Sequence, residues 1–340
     1  MMTDKRGYLV LIGGAEDKRG EMVILRKIMD MNHNGNVVVI PTATSYGRDA
    51  IRDYEDVFRS IGAGRVDGLD IQYRDEANRE DYVDTLQEAD VVFFTGGDQT
   101  RLVDALCKSK VMDAVRRKFA QGATIAGTSA GAAAVSDPMI YDGDDQGFSK
   151  HAVKHTRGFG LLRDITVDTH FMQRERIPRL SQFLSSGKSK KGIGIDEDTA
   201  VFVCPDNTFE VVGRGVVTVM NADKLKYSNY AKVDRNEHIS VDGVEIGFLA
   251  HGTVFDMAGW RIDKGKSVRV PRSVKDEIKR YRDKTERKTK LVSKDKRDSR
   301  RADYPRSRDT RREPATRDSK RPVARGRGTG RGNRSRRGRR

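Results

Sequence analysis

Short apolar runs recur along the first 135 residues of the chain. Leu9–Ile12, Val37–Ile40 and Val91–Phe94 are each four consecutive apolar residues, followed by glycine, proline or threonine. Uniformly apolar runs of this length are typical of strands that are covered on both faces of a parallel sheet. Residues 123–126 predict a further buried strand, and residues 65–71 predict a weaker one.

The segments between these runs place their apolar residues on one face of a helix. They predict helices over residues 21–31, 49–61, 81–87, 100–106 and 111–120. The alternation of strands and helices predicts an α/β fold with a doubly wound, mostly parallel sheet that has helices on both faces. Sheets of this kind carry their functional sites at the carboxyl ends of the strands.

The pattern changes after Ser136. Residues 137–147 are rich in aspartate and glycine and predict a loop. Shorter apolar runs then predict a second group of strands around one helix. These strands are predicted over residues 165–168, 193–195, 200–203, 209–212 and 216–220, the last two in β-hairpins, and the helix over residues 173–183.

Apolar periodicity fades near Gly265, and this divides the chain into three predicted parts. Residues 1–264 are predicted to form the folded domain. Residues 265–292 are predicted to be a charged extension whose apolar residues recur at helical spacing. Residues 293–340 are rich in arginine and glycine and predict a disordered tail.

The charge of the chain is unevenly distributed. Charged residues make up 34% of the 340 residues, and the net charge is +16. Residues 261–340 hold 33 Lys+Arg and 11 Asp+Glu, which leaves 33 and 39 for residues 1–260, a mildly acidic balance. A tail of this composition is typical of segments that bind RNA or other polyanions electrostatically. A solubilising or anchoring extension fits the same composition, as does docking on an insoluble polymer granule.

Cysteine usage and hydropathy exclude several classes of protein. Cys107 and Cys204 form no CxxC pair, so neither a zinc site nor a disulfide framework is expected. No apolar run reaches the length of a membrane span, and no apolar signal segment follows Met1. We therefore expect a cytoplasmic protein without membrane contact.

The stretch Gly127-Thr128-Ser129-Ala130-Gly131 has the G-x-S-x-G pattern of a nucleophile elbow between a strand and a helix. A sharp turn there would expose the serine hydroxyl at the carboxyl edge of the sheet. The backbone N–H groups of Ala130 and Gly97 are the expected donors to an oxyanion. The alternative is a tight strand-to-helix turn that serves packing alone.

A serine nucleophile needs a base, and the base needs an acceptor that orients it. His170 follows the predicted strand 165–168 and would lie at the sheet edge with Ser129. Glu197 follows the strand 193–195 within a run of three acids. The alternatives are a histidine bonded to backbone and a solvated acidic turn. The order serine, histidine, acid differs from that of the α/β-hydrolases, whose acid precedes the histidine.

Five motifs together resemble the cyanophycinases over roughly residues 7–260. They are Leu-Ile-Gly-Gly-Ala-Glu-Asp-Lys at 11–18, Thr-Gly-Gly-Asp-Gln at 95–99, the elbow, Asp-Thr-His-Phe at 168–171, and Gly-Ile-Asp-Glu-Asp-Thr-Ala at 194–200. The resemblance implies a class I glutamine-amidotransferase-like fold and a homodimer. It also implies a serine exopeptidase that cuts cyanophycin, a poly-aspartate chain with arginine on each side-chain carboxylate, into β-aspartyl-arginine dipeptides.

The resemblance assigns the catalytic roles to Ser129 as nucleophile, His170 as general base and Glu197 as its partner. It implies no metal and no organic cofactor. The alternatives are a related peptidase for other aspartyl or isoaspartyl peptides, and a non-catalytic protein that binds polyanions.

A zwitterionic substrate also needs charged and polar contacts. Asp168 could accept a guanidinium, and the three nearby arginines could hold carboxylates in bidentate fashion. A basic helix face is the alternative, since the spacing of the arginines does not place all three on one stripe. Thr169 stands where cyanophycinases usually have glutamine, which leaves the dipeptide specificity open. The expected substrate-binding residues are Gln99, Asp168, Thr169, Arg174, Arg176 and Arg179.

Overall fold

The computed structural model describes residues 6–143 and 148–266. The predicted extension beyond Lys266, the predicted tail 293–340 and part of the predicted loop 137–147 lie outside the described residues. The helices are α1 Val23–Met31, α2 Gly47–Ser60, α3 Glu80–Gln87, α4 Gln99–Leu106, α5 Lys110–Ala120, α6 Ala130–Val135 and α7 Ile177–Ser185.

The strands form a large sheet, a smaller four-stranded sheet and three two-stranded ones. They are β1 Leu9–Ile12, β2 Val37–Ile40, β3 Val66–Gly68, β4 Val91–Phe94, β5 Thr124–Thr128, β6 Ser136–Asp137, β7 Met139–Gly143, β8 Val153–Thr156, β9 Leu162–Arg163, β10 Ile165–Thr169, β11 Lys191–Ile195, β12 Thr199–Val203, β13 Thr208–Gly213, β14 Val217–Asn221, β15 Tyr227–Ser228, β16 Val241–Asp242, β17 Glu245–Leu249, β18 Val254–Asp256 and β19 Arg261–Ile262.

The large sheet has the order β19-β18-β13-β12-β1-β5-β4-β2-β3. The strands β1, β5, β4, β2 and β3 are parallel to one another, and β12, β13, β18 and β19 extend the sheet in antiparallel fashion. Ile12 pairs with Thr128, and Phe94 pairs with Gly127. The loops after β1, β4 and β5 therefore emerge together at one edge, which the predicted α/β fold required.

Helices cover both faces of this sheet. Val10 and Ile12 point into the layer of α1 and α2, where they pack with Leu25 and Phe58. Leu9 and Leu11 point into the opposite layer, which is formed by α3, α4, α5 and α6. Complete burial of one such side chain stabilises the fold by about 1.5–3 kcal/mol. The expected α/β class with a doubly wound sheet is confirmed.

The four-stranded sheet has the order β10-β11-β14-β17. It lies on the other side of α6 from the large sheet. Its β10 and β11 are parallel, with Thr169 opposite Ile195, so the residues after these two strands emerge side by side. α7 covers the outer face, where Leu180 and Phe183 pack against Phe171. The small residues of α6 are all buried between the two sheets.

Three predictions of local structure differ from the fold. Of the two strands predicted in β-hairpins, β13 forms one with β12, whereas β14 joins the small sheet between β11 and β17, which are distant in sequence. Residues 139–143 form β7, which pairs with β8, within the predicted loop. α7 begins at Ile177 rather than near residue 173, since the chain after His170 turns first, and Pro178 fits the first turn of the helix.

Within the described ranges, every helix is too short or too polar to cross a bilayer.

Candidate active site

Ser129 occupies the sharp turn between β5 and α6. Its backbone has φ 51° and ψ −111°, a conformation that non-glycine residues rarely adopt outside functional sites. Its N–H donates to the carbonyl of Ile12 at 2.9 Å, which anchors the turn to β1. A Cβ on Gly127 would lie 2.5 Å from the backbone of Gly131, so the turn closes only with glycine there. The strain and its anchors expose the hydroxyl at the sheet edge.

The structure brings Ser129, His170 and Glu197 into one chain of hydrogen bonds. Ser129 Oγ lies 2.9 Å from His170 Nε2, and His170 Nδ1 lies 2.7 Å from Glu197 Oε1. A carboxylate accepts the Nδ1 proton and leaves Nε2 free to accept from the serine hydroxyl. The side chain of His170 is 14% exposed and that of Glu197 is 36% exposed. The geometry is that of a nucleophile, a general base and an orienting acid.

The loops that carry His170 and Glu197 are tied together by two side chains. Gln173 accepts a hydrogen bond from the Glu197 N–H at 3.0 Å. Asp196 accepts from the Met172 N–H at 3.0 Å and from the Val216 N–H at 3.1 Å. Burial raises the pKa of the Asp196 carboxyl. Sequence reasoning did not assign either residue, because both act on backbone groups of loops that only the fold brings together.

Gly14 lies directly against the imidazole of His170. A Cβ at position 14 would lie 2.3 Å from His170 Cε1, and the backbone has φ 101°. The His170 N–H also donates to the carbonyl of Gly13 at 2.8 Å. The glycine pair after β1 therefore holds the base in place from the opposite sheet.

The turn after β4 passes beside the nucleophile. A Cβ on Gly96 would lie 3.4 Å from Ser129 Cβ. The Asp98 N–H donates to the carbonyl of Ala43 at 2.9 Å and fixes the turn. Ala130 opens α6, and the first N–H groups of a helix have no acceptor within it. The turn after β4 and the first turn of α6 therefore both lie beside the serine.

Glu16 lies behind the nucleophile in the loop after β1. Its carboxylate accepts from the Tyr54 hydroxyl and, at 2.5 Å, from the Thr128 hydroxyl, and its side chain is 2% exposed. Burial and the neighbouring Glu16 carboxylate raise the pKa of Tyr54 well above its ordinary range. Lys18 lies 3.6 Å from Glu16 Oε1, with its Nζ 3.9 Å from the centre of the Tyr54 ring.

The same loop is fixed on its outer side by Asp198 and Arg214. Asp198 accepts from the Asp17 N–H at 2.9 Å, and Arg214 Nε lies 3.1 Å from Asp198 Oδ2. Arg214 also contacts Asp17 at 3.3 Å. Burial raises the pKa of Asp198 to about 6.

A cleft of about 700 Å³ opens above the serine and histidine. Its volume lies in the range of small-molecule sites. The lining residues are Ala15, Glu16, Asp17, Lys18, Arg19, Thr44, Ala50, Asp53, Tyr54, Thr95, Gly96, Thr128, Ser129 and His170.

Most of the described chain matches a known group of peptidases. Residues 9–211 match the profile of Peptidase family S51. The chain belongs to this family.

Two relatives agree with that assignment. A cyanophycinase of Synechococcus elongatus is 36% identical over 256 residues, which cover 74% of this chain and 80% of the relative. A cyanophycinase of Geminocystis herdmanii is 32% identical over 251 residues, 73% of this chain and 92% of the relative. The resemblance to cyanophycinases is confirmed, and this S51 chain is a serine-type peptidase.

The fold has a solved counterpart in the crystal structure of a peptidase from an acI-B1 Actinobacterium. The match has a TM-score of 0.57 at 21% identity and covers 75% of this chain and 98% of that one. It supports the architecture of the S51 chain described above.

Three of the charged residues that were expected to bind substrate in this S51 peptidase lie outside the lining of the cleft. Arg176 Nη1 lies 3.0 Å from Asp168 Oδ1, and Arg179 Nε lies 3.2 Å from Asp168 Oδ2. All three side chains are almost completely buried, and none lines the cleft. Asp168 is therefore already paired with guanidinium groups of its own chain. A buried charge is costly unless it is paired, which explains why the three associate.

Gln99, Thr169 and Arg174 also stand outside the lining of the cleft. The Gln99 amide donates to the carbonyls of Ile140 and Tyr141 at 3.1 and 3.2 Å. Thr169 is buried, while Arg174 is exposed on the turn after His170. Among the described residues, no group of three or more His, Cys, Asp or Glu side chains is arranged to hold a metal ion.

Proposed function

We propose that the chain is a cyanophycinase, a serine exopeptidase that hydrolyses cyanophycin to β-aspartyl-arginine dipeptides. The observation that carries the proposal is the hydrogen-bonded series Ser129, His170 and Glu197 at the edge of the sheet. The relatives that bear the name cyanophycinase support the substrate class.

The proposed reaction begins with attack of Ser129 Oγ on the carbonyl carbon of the scissile amide. His170 Nε2 takes the hydroxyl proton, and the Glu197 carboxylate stabilises the imidazolium that forms. His170 then gives the proton to the departing amine as the C–N bond breaks. A water molecule, deprotonated by His170, attacks the acyl-enzyme and releases the acid product with Ser129 restored.

The negative charge on the carbonyl oxygen requires donors that are fixed before the reaction. We assign this role to the backbone N–H groups of Gly97 and Ala130, since their turns flank Ser129. Loss of one such donor costs about a hundred- to a thousandfold in rate.

Recognition of the substrate is proposed to involve the residues around β10 and α7. Arg174 is exposed on the turn after His170, where it is proposed to contact a carboxylate of the polymer outside the cleft. Arg176 Nη1 donates to the Thr169 carbonyl at 2.9 Å, so the buried cluster with Asp168 and Arg179 holds the backbone just before His170. Gln99 ties the start of α4 to β7 through its bonds to the carbonyls of Ile140 and Tyr141.

Three further properties belong to the proposal. The family resemblance supports a homodimer, and a cytoplasmic location is proposed with it. The composition of residues 293–340 supports electrostatic contact of the tail with RNA or another polyanion. Binding of the full chain to a polyanion should weaken steeply with salt, and salt-independent binding would exclude this role.

The test of the substrate is incubation of the full chain with purified cyanophycin, followed by mass analysis of the soluble products. Release of β-aspartyl-arginine supports the proposal. Intact polymer, together with cleavage of other isoaspartyl dipeptides, would instead identify the related peptidase activity.

A further inference from the structure

Lys18 is a cation on the wall of the catalytic cleft. It lines the same cleft as Ser129 and His170, and its side chain is 37% exposed. Arg176 and Arg179, by contrast, are sealed against Asp168 and do not line the cleft. The positive charge that a ligand in the cleft meets therefore comes from the loop after β1.

The position of the Lys18 ammonium is fixed from two sides. Its Nζ lies 3.9 Å from the centre of the Tyr54 ring, within the range of a cation–π contact. Glu16 Oε1 lies 3.6 Å away. Glu16 is itself held by the hydroxyls of Tyr54 and Thr128 and is 2% exposed. A flexible side chain is thus ordered before a ligand arrives, which lowers the entropic cost of binding.

The Lys18 ammonium can still donate hydrogen bonds. The separation of 3.6 Å from Glu16 is longer than a hydrogen bond between nitrogen and oxygen. The ammonium has three donors and Glu16 takes none of them at hydrogen-bond distance. Within the described residues, Lys18 therefore presents an ordered cation with open donors toward the cleft.

We infer that Lys18 binds the free carboxylate of an arginine in one of the two substrate units that flank the scissile bond. The inference rests on the proposed function. Each cyanophycin unit joins the arginine amine to an aspartate side chain, so the arginine carboxylate remains free. A charge-assisted bond from Lys18 to this carboxylate fixes the unit in the cleft beside Ser129. Lys18 is a specificity-determining residue and takes no part in proton transfer.

The test combines substitutions of Lys18 with chemical changes in the substrate. A synthetic peptide of two β-aspartyl-arginine units is prepared with both arginine carboxylates free, and with a carboxamide in place of one arginine carboxylate or the other. KM and kcat are measured for the unaltered enzyme, Lys18→Met and Lys18→Arg. Lys27→Met is the matched control, because Lys27 pairs with Glu210 at 2.7 Å and lies against Phe202, away from the cleft.

One carboxamide peptide should raise KM of the unaltered enzyme by about tenfold or more, the size expected for loss of one charge-assisted bond. Lys18→Met should raise KM for the free acid by a similar factor and show no further loss with that carboxamide. Lys18→Arg should restore the discrimination, kcat should change little, and Lys27→Met should behave as the unaltered enzyme.

Equal losses of Lys18→Met on the acid and on both carboxamides would overturn the inference, because they would show that Lys18 only neutralises Glu16. Failure of the unaltered enzyme to cleave the free acid would overturn the proposed substrate and this inference with it. The two failures are therefore distinguishable.

Discussion

Two clusters of charged side chains near the site differ in the exposure of their cations. The sealed cluster joins Asp168 on β10 to Arg176 and Arg179, with side chains that are 4–9% exposed. The open cluster joins Glu16, which is 2% exposed, to Lys18, which is 37% exposed and lines the cleft. Both contain a buried carboxylate, but only the second presents its cation to a ligand.

The difference shows that the number of charges near a site does not decide its binding chemistry. A buried ion pair is occupied by its own members, and removal of one partner leaves the other uncompensated. A half-exposed cation beside a buried acid still contacts water, and a ligand can replace that water. We therefore expect substitutions in the sealed cluster to change stability, and substitutions in the open cluster to change binding or catalysis.

The largest effect is expected for Asp168→Asn. This change removes the buried carboxylate that contacts both Arg176 and Arg179 and should lower the free energy of unfolding by about 3–5 kcal/mol. Urea unfolding measures the loss. Asp53→Asn is the control, since Asp53 is an exposed carboxylate on α2 and should shift stability by less than about 0.5 kcal/mol. Equal stability of Asp168→Asn and the parent would remove the distinction between the clusters.

The next effect is expected for Gly14→Ala, in the same loop after β1 as the open cluster. The added methyl group would lie 2.3 Å from His170 Cε1 and must displace the imidazole from Ser129. A misplacement of about 1 Å can cost a hundredfold in rate, so kcat should fall by about that factor. Steady-state kinetics would reveal it. A variant with parental kcat would show that the loop after β1 does not position the base.

A smaller effect is expected on the free energy of unfolding, through the titration of Asp198. Burial raises its pKa from the ordinary 3.8 to about 6. The folded chain thus binds this proton more tightly than the unfolded chain. The stabilising contribution is complete below about pH 4 and is lost as pH rises through 6.

Asp198→Asn should therefore gain stability relative to the parent between pH 4 and pH 7, by about 1–2 kcal/mol after allowance for partial exposure. Chemical denaturation across this range measures the difference. A difference that does not vary with pH would contradict the assignment of the raised pKa to Asp198.

The smallest effect on stability is expected for Lys18→Met. The pair with Glu16 is partly exposed, so its loss should change the free energy of unfolding by less than about 1 kcal/mol. Arg179→Met, a change of similar size in the sealed cluster, should cost several times more. Similar losses in the two variants would show that exposure does not separate the clusters.

Much of the fold follows from local patterns. The bounds of Val37–Ile40 and Val91–Phe94 are those predicted, because four apolar residues in a row are compatible with burial on both faces. The partition of β13 and β14 between two sheets could not be predicted, since each strand fits a hairpin locally and only long-range pairing decides.

The site shows the same division. The motifs around Ser129, His170 and Glu197 are visible in the sequence because each has its own strand-end context. The role of Glu16 is not, because its partners Tyr54 and Thr128 are 38 and 112 residues away. Asp168 and the arginines were expected to meet substrate, and their mutual burial depends on packing that no spacing rule reveals.

The most direct test of the catalytic assignment is release of β-aspartyl-arginine from cyanophycin by Ser129→Ala, measured beside the unaltered chain. Dipeptide release should fall to the background of the assay, while the unfolding midpoint in urea stays within error of the parent. Parental dipeptide release by the folded variant would contradict the role of Ser129 as nucleophile.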